Sequence, residues 1–129
     1  MKELRKFAND IPFNRRLGIR VTRFHKDGVT VEWGVKPELT NASGVAHGGV
    51  AATLADAAVG ISLSWLRRKP AAATTIELKI NYFKPVAAGN LRARARILRL
   101  GKTIACGSVE IRDDRRQIVC AALVTYMLL

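Results

Sequence analysis

Cysteine is scarce in this chain of 129 residues: Cys106 and Cys120 are the only two, both in apolar surroundings and without CxxC spacing. Neither a disulfide framework nor a thiolate metal site is expected, and both residues read as buried thiols of a reducing compartment. Aromatic residues make up only 6%, and no basic cluster is interleaved with them. The stacking platforms of a single-strand nucleic-acid binder are therefore missing, although a purely electrostatic surface would need none. Acidic residues are few, 10 against 22 Lys and Arg, leaving a net charge of +12. Such an excess calls for an anionic partner, of which phosphate, nucleic acid and membrane are the general kinds. Internal repeats, low-complexity tracts and linkers are also lacking. The opening Met1-Lys2-Glu3-Leu4-Arg5-Lys6 mixes charges and holds no apolar run of signal-peptide length, so a cytoplasmic location is expected.

What remains is ordinary globular composition, 49% hydrophobic and 25% charged, and a length that suits a single domain spanning residues 1–129. A domain of this size has little interior to spare, which makes a subunit interface the expected place for a deep ligand site. Leu4, Phe7, Ala8 and Ile11 fall at near-helical spacing, and Pro12 should end that helix. Alternation over Ile19–Phe24 and Val29–Val35, with Asp27-Gly28 between, predicts a hairpin whose buried face carries Val29, Val31, Trp33 and Val35. From Gly48 to Leu66 nearly every residue is apolar or small and Ala is frequent, which predicts the longest helix in the chain. A central Asp56 would cost about 2.5–3.5 kcal/mol in a bilayer, so a helix buried inside a soluble domain is the better reading than a membrane span.

After Pro70 four strands are expected, about Ala72–Phe83, Asn90–Leu100, Thr103–Arg112 and Gln117–Leu128. The connections at Pro85–Asn90, Gly101-Lys102 and Asp113–Arg116 are short enough to join antiparallel neighbours. The fold class is thus α+β, a single antiparallel sheet curled around one helix. Leu91, Ala93, Ala95 and Ile97 should face that helix, with Arg92, Arg94 and Arg96 on the outer, solvated face.

Chemistry concentrates in the segment Thr40-Asn41-Ala42-Ser43-Gly44-Val45-Ala46-His47-Gly48-Gly49 and in Asp56 beyond it. Gly48 and Gly49 let a substrate approach the backbone, and the unpaired N–H groups of a first helical turn stabilise a developing oxyanion. Asp56 is an isolated charge in an apolar helix, which favours a functional role. His47 reads as an orienting residue rather than a proton carrier, and Asn41 can serve simply to shape its loop. Asp56 lies eight positions beyond Gly48. At about 1.5 Å of rise per residue the two are roughly 12 Å apart, so both can act on one carbonyl only if they come from two antiparallel copies of the helix in a two-fold dimer.

The stretch from Asn41 to Asp56 with His-Gly-Gly at its centre resembles the signature of the hotdog-fold acyl-CoA thioesterases of the phenylacetate-pathway, PaaI-like family. Phe13-Asn14 with Leu17-Gly18-Ile19, Asn81-Tyr82-Phe83-Lys84-Pro85, and Leu100-Gly101-Lys102-Thr103 extend the likeness over nearly the whole chain. The resemblance implies a sheet wrapped around a central helix, a homodimer or a homotetramer built as a dimer of dimers, and hydrolysis of a thioester to free acid and CoA without cofactor or metal. It implies that Asp56 is the general base or nucleophile and that the Gly48 N–H polarises the carbonyl with Asn41 nearby. His47 matches the motif histidine. Thr75 falls where related enzymes often carry a Ser that holds the attacking water; Thr keeps the hydroxyl but is stiffer at χ1.

Coenzyme A would also account for the positive charge. Arg67, Arg68 and Lys69 at the far end of the helix, with Arg99 and Lys102 near a hairpin, are candidates for its phosphates. Leu54, Ile61, Trp65, Phe83 and the N-terminal residues are candidates to shape an acyl tunnel. The rival readings are a hotdog-fold enoyl-CoA hydratase or dehydratase, which would pair a His with an acid, and a non-catalytic acyl-CoA-binding module. Neither a specific nucleic-acid partner nor a membrane is expected.

Overall fold

The computed structural model describes residues 1–129. Helices α1 (Lys2–Asp10) and α2 (Pro12–Leu17) lead into β1 (Arg20–His25) and β2 (Gly28–Gly34). The long helix α3 (Gly48–Arg67) follows, then β3 (Ala73–Tyr82), β4 (Asn90–Leu100), β5 (Ile104–Arg112) and β6 (Ile118–Leu128). Pro12 does end α1, but it also opens α2, an element the spacing of apolar residues had not suggested. Proline suits a first helical position, where its fixed φ is already helical and no N–H is needed. The turn closes at Gly18, φ 84°, and the buried Asn14 ties α2 to α1 through a 3.0 Å bond from Nδ2 to the Ala8 carbonyl.

All six strands form one antiparallel sheet in the order β1-β2-β4-β5-β6-β3. The expected strands are present, but β3 and β4 are not neighbours. The backbone bonds of the segment between them explain why: Phe83 N–H and Lys84 N–H donate to Val119, while the Val86 and Gly89 carbonyls accept from Ala46 and Val35. That segment, stiffened by Pro85, crosses from the sheet's edge to its middle instead of turning back. β3 is left as an edge strand with β6 as its only partner.

The concave face of the sheet covers α3. Val29, Val31 and Trp33 from β2, Leu91, Ala93 and Ala95 from β4, and Val109 and Ile111 from β5 are buried with Leu54, Ala55, Ala58 and Val59 of the helix. α3 is long and apolar enough to cross a membrane, yet it is the buried core helix of this sheet. Its interior polar groups are matched: Ser62 Oγ donates to Ala58 O at 2.6 Å and accepts from Val29 N–H at 3.0 Å. On the convex face Arg92 pairs with Glu32 and Asp114, and Arg94 and Arg96 with Asp27. The arginine row is thus a set of partly exposed ion pairs, each worth at most about 1 kcal/mol.

Candidate active site

The first half of the site is the start of α3. Asn41 Oδ1 accepts from Ser43 N–H at 2.9 Å and Val45 N–H at 3.3 Å, so this side chain closes the loop ahead of the helix. His47 is the N-cap, extended at φ −63°, ψ 136°, and its Nδ1 accepts from Gly49 N–H at 2.9 Å. That bond assigns the ring proton to Nε2. With Gly49 N–H held by the ring and Val50 N–H by the His47 carbonyl, Gly48 N–H has no acceptor in the chain. It stands at the positive end of a 20-residue helix.

Tyr82 lies across this turn. Its hydroxyl donates to Gly48 O at 2.6 Å, and a Cβ on Gly48 would stand 3.2 Å from its ring. A cavity of about 530 Å³ opens here, lined by Asn41, Gly48, Gly49, Tyr82 and Phe83, with Leu91, Val119 and Cys120 among its buried walls. Burial raises the Tyr82 phenol above its ordinary range and pushes the Cys120 thiol up to about 11, so both stay neutral.

The second half surrounds Asp56. Its Oδ1 accepts from Thr75 Oγ1 at 2.7 Å and lies 2.8 Å from the Tyr126 hydroxyl, which is also 2.8 Å from the Asp56 backbone carbonyl. Thr75 and Tyr126 face each other in the β3–β6 ladder, and a bulge between Thr75 and Glu77 leaves Ile76 half exposed as the extra residue. The sequence gives neither a place in the site: Tyr82 stands out only within the Asn81–Pro85 motif, and Tyr126 only within a strand. Tyr126 carried a signal: it follows Val124 at the strand period, on the buried side, and a buried phenol needs a hydrogen-bond partner.

The two halves do not meet within one chain, for Asp56 does not line the cavity at Gly48. Nor do the other candidates gather there. Arg67, Arg68 and Lys69 sit at the opposite end of α3, where Arg68 is the left-handed C-cap; Arg68 and Lys69 border a 370 Å³ cavity with Trp65 and Phe7. Arg99 and Lys102 lie at the β4–β5 turn. The basic side chain at the Gly48 cavity is instead Lys84, paired with Asp113 at 3.0 Å. Among the tunnel candidates Phe83 lines that cavity and Leu54 is wholly core. Ile61 borders a smaller apolar cavity of 170 Å³ between α1 and α3 that reaches Gly60 and Tyr126.

Known proteins resemble this chain in sequence and in fold. The family profile of the thioesterase superfamily matches residues 43–120, more than half of the chain and the part that holds His47, Gly48, Asp56 and Thr75. The sequence is 29% identical to a medium/long-chain acyl-CoA thioesterase, YigI of Escherichia coli K12, over 94% of this chain and 88% of that protein. A thioesterase structure from Haemophilus influenzae superposes with a TM-score of 0.91 at 23% identity, covering 99% of this chain and 89% of the other. The E. coli PaaI protein of the phenylacetic acid degradation operon superposes at 0.87 and 22%, covering 96% and 88%. Sheet, central helix and matched span agree: this chain belongs to the thioesterase superfamily and is a hotdog-fold hydrolase of thioesters.

Proposed function

We propose that the protein is a cytoplasmic acyl-CoA thioesterase whose active site is shared between two subunits. The observation that carries this reading is the division of labour along α3 and β3. Gly48, with its free N–H, is held at one end of β3 by Tyr82, and Asp56 is held toward the other end by Thr75. β3 is an edge strand, paired with β6 on one side and with no strand on the other. A two-fold axis passing close to the middle of β3, near Leu78 and Lys79, and close to Ala52 on α3, brings the Asp56–Thr75 pair of one subunit against the Gly48–Tyr82 pair of the other. Each site then takes one half from each chain.

In that arrangement the thioester carbonyl oxygen receives the Gly48 N–H while Asp56 acts on the carbonyl carbon, as base on water or as nucleophile. The C–O bond that forms pushes the carbonyl electrons onto oxygen; their return breaks the C–S bond and releases CoA thiolate and, once hydrolysis is complete, the free acid. Asn41 and His47 shape and cap the turn that presents the N–H. The substrate class follows the relative named a medium/long-chain acyl-CoA thioesterase, and the net charge of +12 suits the phosphates of CoA. Arg67, Arg68, Lys69, Arg99 and Lys102 contact those phosphates only from positions brought close by a second subunit. The exposed apolar side chains of Leu123, Met127 and Ile104, the last two paired across β5 and β6, favour a further pairing into a tetramer.

The test is to incubate saturated and 2-enoyl acyl-CoAs of graded chain length with the enzyme, following free thiol and double-bond absorbance together. Thiol release with the double bond retained is expected; loss of the double bond without thiol would make it a hydratase. Asp56→Asn should keep the fold and lower turnover on the order of a hundredfold or more, since general-base assistance contributes about 10²–10⁴. Near wild-type turnover would remove Asp56 from the reaction.

A further inference from the structure

We infer that Tyr126 is a positioning residue for the hydrolysis, its hydroxyl acting with that of Thr75 to hold Oδ1 of Asp56 so that Oδ2 is the oxygen that reacts, and that residue 60 is glycine in order to admit it. This rests on the reading of Asp56 as the reacting carboxylate.

Two hydroxyls converge on one carboxylate oxygen. Thr75 Oγ1 gives its proton to Oδ1 at 2.7 Å, and the Tyr126 oxygen lies 2.8 Å from the same atom. No donor of the chain reaches Oδ2, and no cation of the chain pairs with Asp56. A carboxylate held by one oxygen is fixed about its last torsion and offers the other with its lone pairs free. Tyr126 is 8% exposed, and burial drives its phenol far above the ordinary range, so it serves only as a neutral donor.

The helix is built to let this phenol in. Gly60 stands four residues after Asp56, one turn along the same face, where a side chain leans back over residue 56. A Cβ on Gly60 would lie 2.7 Å from the Tyr126 oxygen and 3.2 Å from the ring carbon bearing it. Glycine in mid-helix is unfavourable relative to alanine. Here it leaves room for the hydroxyl, which lies 2.8 Å from both the backbone and the side-chain oxygen of Asp56. A phenol needing only a buried acceptor would be satisfied by the backbone carbonyl, so the measurement must separate support of the fold from support of the carboxylate.

The experiment compares steady-state kinetics of Tyr126→Phe, Gly60→Ala and Asp56→Asn, with the doubles Asp56→Asn/Tyr126→Phe and Gly60→Ala/Tyr126→Phe, in the full-length enzyme, using a saturated acyl-CoA. Tyr126→Phe should lower kcat about tenfold, the scale of one hydrogen bond to a charged group, with KM within about twofold. Gly60→Ala keeps the phenol but forces its oxygen aside, and should reproduce that kcat loss. Adding Tyr126→Phe to Gly60→Ala should then cost nothing more. In the Asp56→Asn background Tyr126→Phe should change the residual rate less than about twofold, because the group it positions is gone. Wild-type kcat in Tyr126→Phe beside an inactive Asp56→Asn, with only thermal stability altered, would overturn this inference alone. If Tyr126→Phe does not fold, Gly60→Ala decides: unchanged kcat overturns the inference. Wild-type turnover in Asp56→Asn would overturn the parent reading and this one with it.

Discussion

The hydroxyl of Tyr82 gives a 2.6 Å hydrogen bond to the carbonyl of Gly48, and its ring covers the place where a side chain on residue 48 would stand. Seven residues earlier on the same strand Thr75 holds Asp56. One edge strand therefore holds both Gly48 and Asp56, the oxyanion donor and the base of the proposed reaction, which draws them from two different chains.

Complementation between subunits follows. Asp56→Asn and Gly48→Pro subunits, each inactive alone, should regain activity well above either parent after joint refolding, with one rebuilt site per heterodimer. Proline removes the Gly48 N–H and suits a first helical position, and the extended backbone of His47 is what a residue before proline requires. Tyr82, 3.2 Å from the new Cβ, must yield slightly. Circular dichroism of the purified mutant checks the fold. Verified heterodimers as inactive as both parents would mean that the two halves belong to one chain.

Thr75→Val should reduce turnover far less than Asp56→Asn. Valine keeps the β-branched shape and loses only the 2.7 Å bond to Oδ1, for which the Tyr126 hydroxyl and a water remain available. Equal losses in the two variants would give Thr75 a direct part in the chemistry.

For His47→Ala the expected change is in stability rather than rate. The ring accepts from Gly49 N–H, and loss of a helix cap costs about 0.5–2 kcal/mol, the low end applying because the site is exposed and water can take over. Thermal unfolding should move down by a few degrees while turnover stays far above that of Asp56→Asn. A collapse of turnover to the Asp56→Asn level would give the imidazole a chemical role.

Ser62→Ala tests the join between helix and sheet. Ser62 is fully buried and its oxygen is the acceptor for Val29 N–H, so its removal strands a backbone donor in the core. The cost should be about 1–3 kcal/mol, read as a lower urea midpoint at unchanged slope. An unchanged midpoint would show that Val29 N–H finds another acceptor.

How much of this was legible in the sequence depended on the range of each signal. The hairpin at Asp27-Gly28 and the helix from Gly48 are local patterns of turn residues and small apolar residues, and both elements stand within a residue or two of expectation. The isolated Asp56 and the His-Gly-Gly turn were equally visible, since their oddity is local. Sheet order was not: alternation tells which face of β3 is buried but not which strand lies beside it, and the crossing at Phe83–Gly89 depends on acceptors at Val119 and donors at Val35 and Ala46. Tyr126 escaped because its partner lies 70 positions earlier. The basic residues Arg67, Arg68 and Lys69 stand out by charge and by their place at the far end of the helix, and neither property says which end of the helix meets the cavity lined by Gly48.

Third in the chain but outermost in the sheet, β3 has only β6 to pair with, and β6 is the last strand to be made. At about 5–20 residues per second the ribosome leaves β3 and the uncovered flank of α3 without a partner for seconds. Until Tyr126 emerges, Asp56 lacks part of its clasp and the ladder that sets Thr75 has not formed. The surroundings of the carboxylate thus wait for the sixth strand, and a nascent chain halted before residue 126 holds the whole Asn41–Asp56 motif without the ladder that sets Thr75 beside Asp56.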